Sequence, residues 1–151
     1  MTLKNICVYC GSNPGTRPDY IEQARVLARA LVKRDLGLVY GGSVVGIMGV
    51  VAKEVLAGGG RVIGVIPELL LKKEQAHLGL TELHMVQNMH ERKAMMMELA
   101  DGFIALPGGA GTLEEFFEVW TWAQLNMHRK PCGLLNIAGY YDALIQFVNH
   151  S

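Results

Sequence analysis

No apolar run in this sequence reaches the roughly 18–20 residues that a membrane-spanning helix needs. Neither sign of charge is in excess, because 14 Lys and Arg residues balance 14 Asp and Glu residues. A neutral chain lacks the basic surface typical of proteins that bind nucleic acid or anionic membranes. We therefore expect neither a membrane nor a nucleic acid among its partners.

Cysteine is scarce, with only three residues, and an odd number is a poor basis for a disulfide scaffold. Free thiols are typical of a reducing compartment. The first residues, Met1 to Asn5, show no signal-peptide pattern. The expected location is therefore cytoplasmic.

Apolar residues, in contrast, are abundant: 50% of the chain is hydrophobic and 19% is charged, which excludes intrinsic disorder. The 151 residues suit a single domain over positions 1–151. A domain of this size buries about two-thirds of its unfolded surface, so it needs neither disulfides nor a metal to form a core.

Short apolar runs alternate with longer helical patterns. The strand candidates are Asn5–Cys10, Gly37–Tyr40, Arg61–Ile66, Leu83–Gln87, Gly102–Leu106 and Cys132–Asn136. The helix candidates are about Pro18–Arg34, Gly46–Ala57, His90–Ala100, Thr112–Met127 and Tyr140–His150. This alternation predicts an α/β fold, a doubly wound, Rossmann-like parallel sheet with helices on both faces. The connection 67–81 is long and irregular, and its periodicity leaves open whether part of it is helical.

Glycines follow three of the strand candidates, directly or after a single proline. They are Gly11, Gly41 with Gly42, and Gly108 with Gly109. In a parallel sheet the carboxyl ends of all strands lie at one edge, and ligands bind there where the strand order reverses. One such glycine is equally well explained by a tight turn. Three together favour a ligand site.

The strongest motif follows the fifth strand candidate and opens a helix. Its residues are Leu106-Pro107-Gly108-Gly109-Ala110-Gly111-Thr112-Leu113-Glu114-Glu115. Glycines let the backbone approach a ligand closely, and the unpaired amides at a helix start attract anions. The motif lacks the Gly-Lys-Ser/Thr of a Walker loop and the third glycine of a dinucleotide fingerprint. It therefore predicts a cradle for the phosphate of a mononucleotide or a sugar phosphate.

Three polar side chains of this motif have alternative roles. Thr112 can cap the helix or donate its hydroxyl to the anion. Glu114 and Glu115 are expected in the first helical turn, where carboxylates offset the helix dipole. Adjacent helical residues point about 100° apart, so one of the two could instead face the ligand as a general base or stabilise positive charge there. Spacing alone leaves both explanations open.

A second polar group, Arg92 and Lys93, lies early in an apolar helix candidate. Unpaired burial of these charges would be costly, and the arginine fork suits a phosphate or a carboxylate. Two surface positions that extend past the neighbouring methionines are an equally good explanation. The methionines themselves are expected to fill a core or an interface.

Two further patterns argue against other kinds of chemistry. Cys7 and Cys10 form a C-x-x-C within a strand rather than at a helix start, which favours buried structural thiols over a redox pair. The five histidines show no metal-ligand spacing. We expect no metal site.

The helix candidate that follows the glycine motif is apolar almost all round. Its apolar residues are Phe116, Phe117, Val119, Trp120, Trp122 and Leu125. Such a helix is buried on more than one side. In a domain this small that favours a partner subunit, most simply in a twofold homodimer.

The chain resembles the LONELY GUY (LOG) family, the cytokinin riboside 5′-monophosphate phosphoribohydrolases. The family signature P-G-G-x-G-T-x-x-E matches Pro107 to Glu115. Further agreement lies, in order along the whole chain, at Cys10-Gly11-Ser12, Tyr40-Gly41-Gly42, Gly46-Ile47-Met48-Gly49, Met89-His90-Glu91-Arg92-Lys93 and Thr121-Trp122-Ala123-Gln124-Leu125. Members often carry an older label, lysine decarboxylase, but the sequence has no pyridoxal-phosphate lysine motif.

This resemblance implies hydrolysis of the N-glycosidic bond of N6-modified AMP, or of AMP, to free base and ribose 5-phosphate, without a cofactor. Arg92 and Glu115 would be the catalytic pair. The nucleotide would be bound by Glu74, Lys93, Gly108, Gly109, Ala110, Gly111, Thr112, Leu113 and Glu114. The resemblance also implies a homodimer with the site near the subunit interface.

Family chains usually continue for a further strand and helix beyond the position of Ser151. The sequence therefore leaves open a naturally short protein, a trimmed form, and a sheet without the C-terminal edge strand. Two other functions also stay open: a non-catalytic nucleotide or molybdenum-cofactor carrier on the same fold, and, more distantly, a redox protein using Cys7 and Cys10. The Arg92–Glu115 pair favours the enzyme, because a carrier has no need of the carboxylate.

Overall fold

Six parallel strands form one sheet in the computed structural model, which describes residues 2–11, 18–73 and 75–151. The strands are β1 (Asn5–Tyr9), β2 (Gly37–Tyr40), β3 (Val62–Pro67), β4 (Glu82–Val86), β5 (Gly102–Ala105) and β6 (Cys132–Leu134). They lie in the order β4-β3-β2-β1-β5-β6, and every neighbouring pair is parallel. The doubly wound α/β fold is therefore confirmed.

The structure has five described α-helices, and four of them pack on the two faces of this sheet. The five are α1 (Pro18–Lys33), α2 (Gly46–Ala57), α3 (Met89–Leu99), α4 (Ala110–Gln124) and α5 (Asp142–His150). Side chains of α1 and α2 pack on one face, and those of α3 and α4 form a second core on the other. Among the described helices, none has the length and apolar character required to cross a bilayer.

Burial along the strands follows their place in the sheet. All residues of β2 and β3 are buried, as are four of the five in β1, because helices cover both faces there. The edge strands β4 and β6 are partly exposed. The continuous apolar runs of the sequence thus mark the centre of the sheet.

The start of α3 lies one residue before the predicted one, at Met89, because a capping box defines it. The side chain of Asn88 accepts a hydrogen bond from the amide of Glu91, and the Glu91 carboxylate accepts one from the amide of Gln87. The first bond satisfies an amide that the helix leaves unpaired, and the second ties the residue before the N-cap to the first turn. They also fix the helix start that carries Arg92.

The start of α4 corrects the sequence-based expectation for three side chains. This helix begins at Ala110 with Gly109 as its N-cap, and no side chain caps it. Thr112 therefore lies inside the helix and is not its cap. Glu114 and Glu115 lie in the second turn rather than the first, where an interaction with the helix dipole is weaker.

After Pro67, the last residue of β3, the irregular connection contains a short 3-10 helix, Glu68–Leu70, and its other described residues form turns and an isolated bridge between Ala76 and Ser43. Its later part pairs with the turn that follows β2. The amide of His77 donates to the carbonyl of Gly42 at 2.8 Å, and the amide of Val44 donates to the carbonyl of Gln75 at 3.0 Å. The connection therefore lies against the carboxyl edge of the sheet.

Candidate active site

A cavity of about 540 Å³ opens at the carboxyl ends of β1 and β5. The strand order reverses between these two neighbours, which is the place where open α/β sheets bind ligands. Cys10 and Gly11 line the cavity after β1, and Pro107 to Gly109 line it after β5. The volume lies in the range of roughly 300–1,000 Å³ that is typical of small-molecule sites.

Residues 106–109, which join β5 to α4 and are called the glycine turn below, direct the start of α4 toward this cavity. Gly111 and Thr112 line it together with the turn. Because no side chain caps α4, its first amides have no partner within the helix and can bind an anion. Thr112 packs so closely on Gly108 that a Cβ on residue 108 would overlap its hydroxyl oxygen. The turn therefore requires glycine at this position.

Arg92 is buried, with 5% of its surface exposed, and its guanidinium lies at the cavity wall. Its Nε donates to the carbonyl of Val65 at 3.0 Å, and its Nη2 donates to the carbonyl of Gly41 at 2.7 Å. Its Nη1 lies 3.8 Å from the sulfur of Met89. A backbone carbonyl of β3 and one directly after β2 thus hold the cation in place, and the prediction that Arg92 could be a surface residue is wrong.

Glu115 reaches the same cavity from the second turn of α4 and is partly buried. Burial raises the pKa of the Cys10 thiol, the Glu115 charge raises it further, and Arg92 lowers it. Both charged groups therefore act on the carboxyl end of β1. A carboxylate and a guanidinium from separate helices face one cavity, beside amides able to bind an anion.

Lys93 and Glu114 are placed differently from their neighbours Arg92 and Glu115. The Lys93 ammonium donates to Glu114 and to Glu118, at 2.5 and 3.0 Å. Its hydrogen bond with Glu114 is the main cause of its raised pKa. These residues link α3 to α4 because adjacent helical positions diverge by about 100°. Lys93 is only 8% exposed, so the prediction that it could be a surface residue is wrong as well.

The structure divides the predicted site residues into two groups. Those that line the cavity are Arg92, Gly108, Gly109, Gly111, Thr112 and Glu115. Those that lie outside its described lining are Lys93, Ala110, Leu113 and Glu114. Glu74 lies outside the described residues. Neighbouring residues such as Arg92 and Lys93 fall into different groups because α3 and α4 each turn only one side toward the cavity.

Several lining residues were not predicted from the sequence. They are Tyr20, Ile47, Met48, Met89, Met96 and Tyr140. Tyr140 follows β6 and so lies at the same edge of the sheet as the turns after β1, β2 and β5. Its place after a predicted strand could have marked it as a lining residue from the sequence. The others resemble ordinary core residues in sequence, since nothing in their spacing distinguishes a cavity wall from a core.

The cysteines behave as predicted. Cys7 and Cys10 are buried free thiols, and burial raises the pKa of both. A raised pKa keeps a thiol protonated and unreactive at neutral pH, which argues against a redox pair. Within residues 2–11, 18–73 and 75–151, no group of three or more His, Cys, Asp or Glu side chains could hold a metal.

Sequence comparisons identify the family. A family model described as "Possible lysine decarboxylase" matches residues 48–151. A cytokinin riboside 5′-monophosphate phosphoribohydrolase of Rhodococcoides fascians is 52% identical, over 99% of this chain and 76% of its own length. The chain belongs to the LOG family. Another LOG protein, the cytokinin riboside 5′-monophosphate phosphoribohydrolase LOG7 of Arabidopsis thaliana, is 53% identical over 97% of this chain and 68% of its own.

Solved structures share this fold at lower sequence identity. The molybdenum cofactor carrier protein of Chlamydomonas reinhardtii superposes with a TM-score of 0.73 at 19% identity, over 98% of this chain and 86% of its own. The molybdenum cofactor binding protein of Rippkaea orientalis gives 0.74 at 22% identity, over 99% and 86%. At such identities the likeness concerns the fold alone.

Proposed function

We propose that this LOG-family chain hydrolyses the N-glycosidic bond of AMP or of N6-modified AMP, the cytokinin riboside 5′-monophosphates. The observation that carries the proposal is the meeting of Arg92 and Glu115, from separate helices, in one cavity with the glycine turn. The relatives at about 50% identity bear the name of this activity.

The phosphate binds at the start of α4. The amides of residues 110–112 have no partner within the helix, and the positive end of the helix dipole favours an anion there. Gly109 and Gly111 leave room for the phosphate, since a Cβ at either position would meet nothing within 4 Å. Phosphate binding far from the broken bond supplies energy for orienting the ribose.

The ribose lies against Glu115. Breaking the C1′–N9 bond leaves oxocarbenium character on the sugar, which an adjacent carboxylate stabilises. The same carboxylate can take a proton from the attacking water. The hydroxyl of that water ends on C1′, its proton is transferred to the departing base, and the products are free base and ribose 5-phosphate.

Arg92 acts as a fixed cation beside this carboxylate. Its bonds to the carbonyls of Val65 and Gly41 prevent it from folding back into solvent. A cation held there orients Glu115 and the ligand and offsets the negative charge of the carboxylate and the phosphate. This preorganised charge costs no rearrangement when the reaction occurs.

The base fits the apolar part of the wall. Ile47 and Met48 at the start of α2 and Met89 and Met96 of α3 line the cavity with thioether and aliphatic groups. Such flexible side chains adapt to planar rings and to an N6 substituent. We therefore place the purine on this side, away from the glycine turn.

We further propose that residues 1–151 act as one nucleotide-binding domain in a homodimer. The end of α4 carries two exposed apolar side chains, Leu125 and Met127, which are 65% and 61% exposed. Clustered apolar exposure marks interaction surfaces. The three free thiols suit a cytoplasmic setting.

Incubation with AMP and with isopentenyladenosine monophosphate, followed by chromatography for free base, tests the activity. We expect release of base and ribose 5-phosphate in equal amounts. Binding of both nucleotides without any base release would contradict the enzyme and favour the carrier alternative. The ratio of kcat/KM for the two substrates then measures the preference between AMP and its prenylated form.

A further inference from the structure

Two consecutive tyrosines just before α5 are bonded to the glycine turn after β5. The hydroxyl of Tyr140 donates to the carbonyl of Gly108 at 2.5 Å. The hydroxyl of Tyr141 donates to the carbonyl of Leu106, also at 2.5 Å, and its oxygen has a backbone hydrogen bond with Gly108. The segment after β6 thus reaches back to the turn that begins α4.

The turn depends on these bonds because it lies between two regular elements. The amide of Leu106 donates to the carbonyl of Tyr9, which continues the ladder between β1 and β5. The next regular backbone bond toward α4 runs from the amide of Leu113 to the carbonyl of Gly109. In between, the tyrosine hydroxyls occupy the carbonyls of residues 106 and 108. Two glycines in the turn would otherwise leave it many conformations.

The two tyrosines are themselves held firmly. Tyr141 is 2% exposed, and its amide donates to the side chain of Asn136 at 2.8 Å. The Asn136 amide group in turn donates to Asp142 at 2.7 Å. The ring of Tyr140 meets those of Tyr141 and Tyr20 edge to face, with centroids 4.9 and 5.7 Å apart. The hydroxyls therefore have defined positions before any ligand binds.

We propose that Tyr140 and Tyr141 are positioning residues that hold the glycine turn in the conformation in which the amides of α4 bind the 5′-phosphate. The proposal rests on the phosphate site of the proposed function. It assigns to the β6–α5 connection a role in substrate affinity, although neither hydroxyl needs to touch the reacting bond.

The test is the Tyr140→Phe substitution in a Glu115→Gln background, which removes turnover from the measurement. Tyr140 is 43% exposed, so the loss of one hydroxyl leaves the fold intact. A hydrogen bond of net ~0.5–1.5 kcal/mol corresponds to a change in Kd of about two- to twelvefold. We expect the Kd of both AMP and ribose 5-phosphate, measured by calorimetry, to rise by about that factor.

Thr121→Val is the matched control. It removes a hydroxyl that donates to the backbone carbonyl of Phe117 within α4, outside the cavity lining, so both Kd values should stay unchanged. Unaltered affinity in Tyr140→Phe, or an equal loss in Thr121→Val, would overturn the proposal. Tyr141→Phe should weaken phosphate binding too and also lower Tm, because its hydroxyl is buried.

Kinetics of Tyr140→Phe in the active protein separate positioning from general damage. A loss of phosphate affinity raises KM and leaves kcat within about twofold, whereas a distorted site lowers kcat. An absence of base release by the unaltered protein would contradict the proposed reaction, yet the ribose 5-phosphate affinities would still decide the role of the tyrosines.

Discussion

The carbonyl oxygen of Gly41 accepts a 2.7 Å hydrogen bond from Nη2 of Arg92, so the end of β2 holds a guanidinium carried by α3. This approach requires glycine, since a Cβ on residue 41 would overlap that nitrogen. The side chain cannot simply swing aside, because its Nε is bonded to the carbonyl of Val65 and the residue is buried. Gly41 therefore controls the position of a proposed catalytic residue.

Replacement of Gly41 by Ala should lower kcat/KM for AMP by about ten- to hundredfold, because bonds of a charged group are worth about 1.5–3 kcal/mol each. Gly133→Ala is the control, since a Cβ there meets nothing within 4 Å. Circular dichroism and Tm confirm folding. If the effect passes through Arg92, Gly41→Ala should cost nothing further in an Arg92→Ala background. Full additivity of the two changes would contradict this explanation.

Glu115 and Glu114 should differ sharply in catalysis. We expect Glu115→Gln to reduce kcat by about 10²- to 10⁴-fold, the usual contribution of a general base, and to retain AMP binding. Glu114→Gln should change kcat by less than about threefold, since its carboxylate pairs with Lys93 outside the cavity lining and Glu118 remains on that lysine. Base release is measured by chromatography. An unchanged rate in Glu115→Gln would remove this residue from the mechanism.

The proposed dimer should depend on the α3–α4 side. Leu125→Glu should shift the sedimenting species from twice 16.6 kDa toward 16.6 kDa, because a carboxylate is costly to bury in an interface. Val26→Glu is the matched control, since Val26 is 45% exposed on α1, on the opposite face of the sheet. A monomeric unaltered protein, or equal dissociation by both variants, would contradict the proposed interface.

Asp101 should stabilise the fold in a pH-dependent way. Its carboxylate accepts bonds from the amides of Asn5 and Lys4, at 3.0 and 2.9 Å, and these bonds lower its pKa below 3.8. A lowered pKa in the folded state adds stability above the unfolded pKa, and this stability is lost as pH falls through the folded pKa. Asp101→Asn should therefore lower the urea midpoint at pH 7. The difference from the unaltered protein should shrink below about pH 3.8.

A difference that is constant from pH 7 to pH 3 would show that the charge of Asp101 is not involved. The substitution removes the charge and keeps the shape of the side chain, so packing is not altered. Activity at pH 7 serves as a check that the site is intact, since Asp101 lies before β5 at the opposite end of that strand from the glycine turn.

Local pattern predicted the elements of this fold well, with errors of one or two residues at most ends. Periodicity located α3, but the bonds between Asn88 and Glu91 set its start. The sequence pattern places the start of α4 two residues too late, because it favours a threonine cap where Gly109 is the N-cap. That small error moved both glutamates from the first turn to the second.

Sequence spacing could not predict which member of the Arg92–Lys93 pair, or of the Glu114–Glu115 pair, lines the cavity. Each pair occupies adjacent helical positions, and only the rotation of α3 and α4 on the sheet decides which member faces the cavity. The same holds for Tyr140, whose contact with Gly108 joins residues 32 positions apart.

The order of apolar runs and glycines along the chain was by itself enough to determine a parallel sheet and the edge at which it binds a ligand. This was possible because the hydrophobic periodicity of strands and helices, and the residues that form turns, are local properties of the sequence. The tertiary structure alone decided the bonds of Arg92 to Gly41 and Val65 and the support of the glycine turn by two tyrosines. These contacts depend on how strands and helices from distant segments pack together, and no local period records that arrangement.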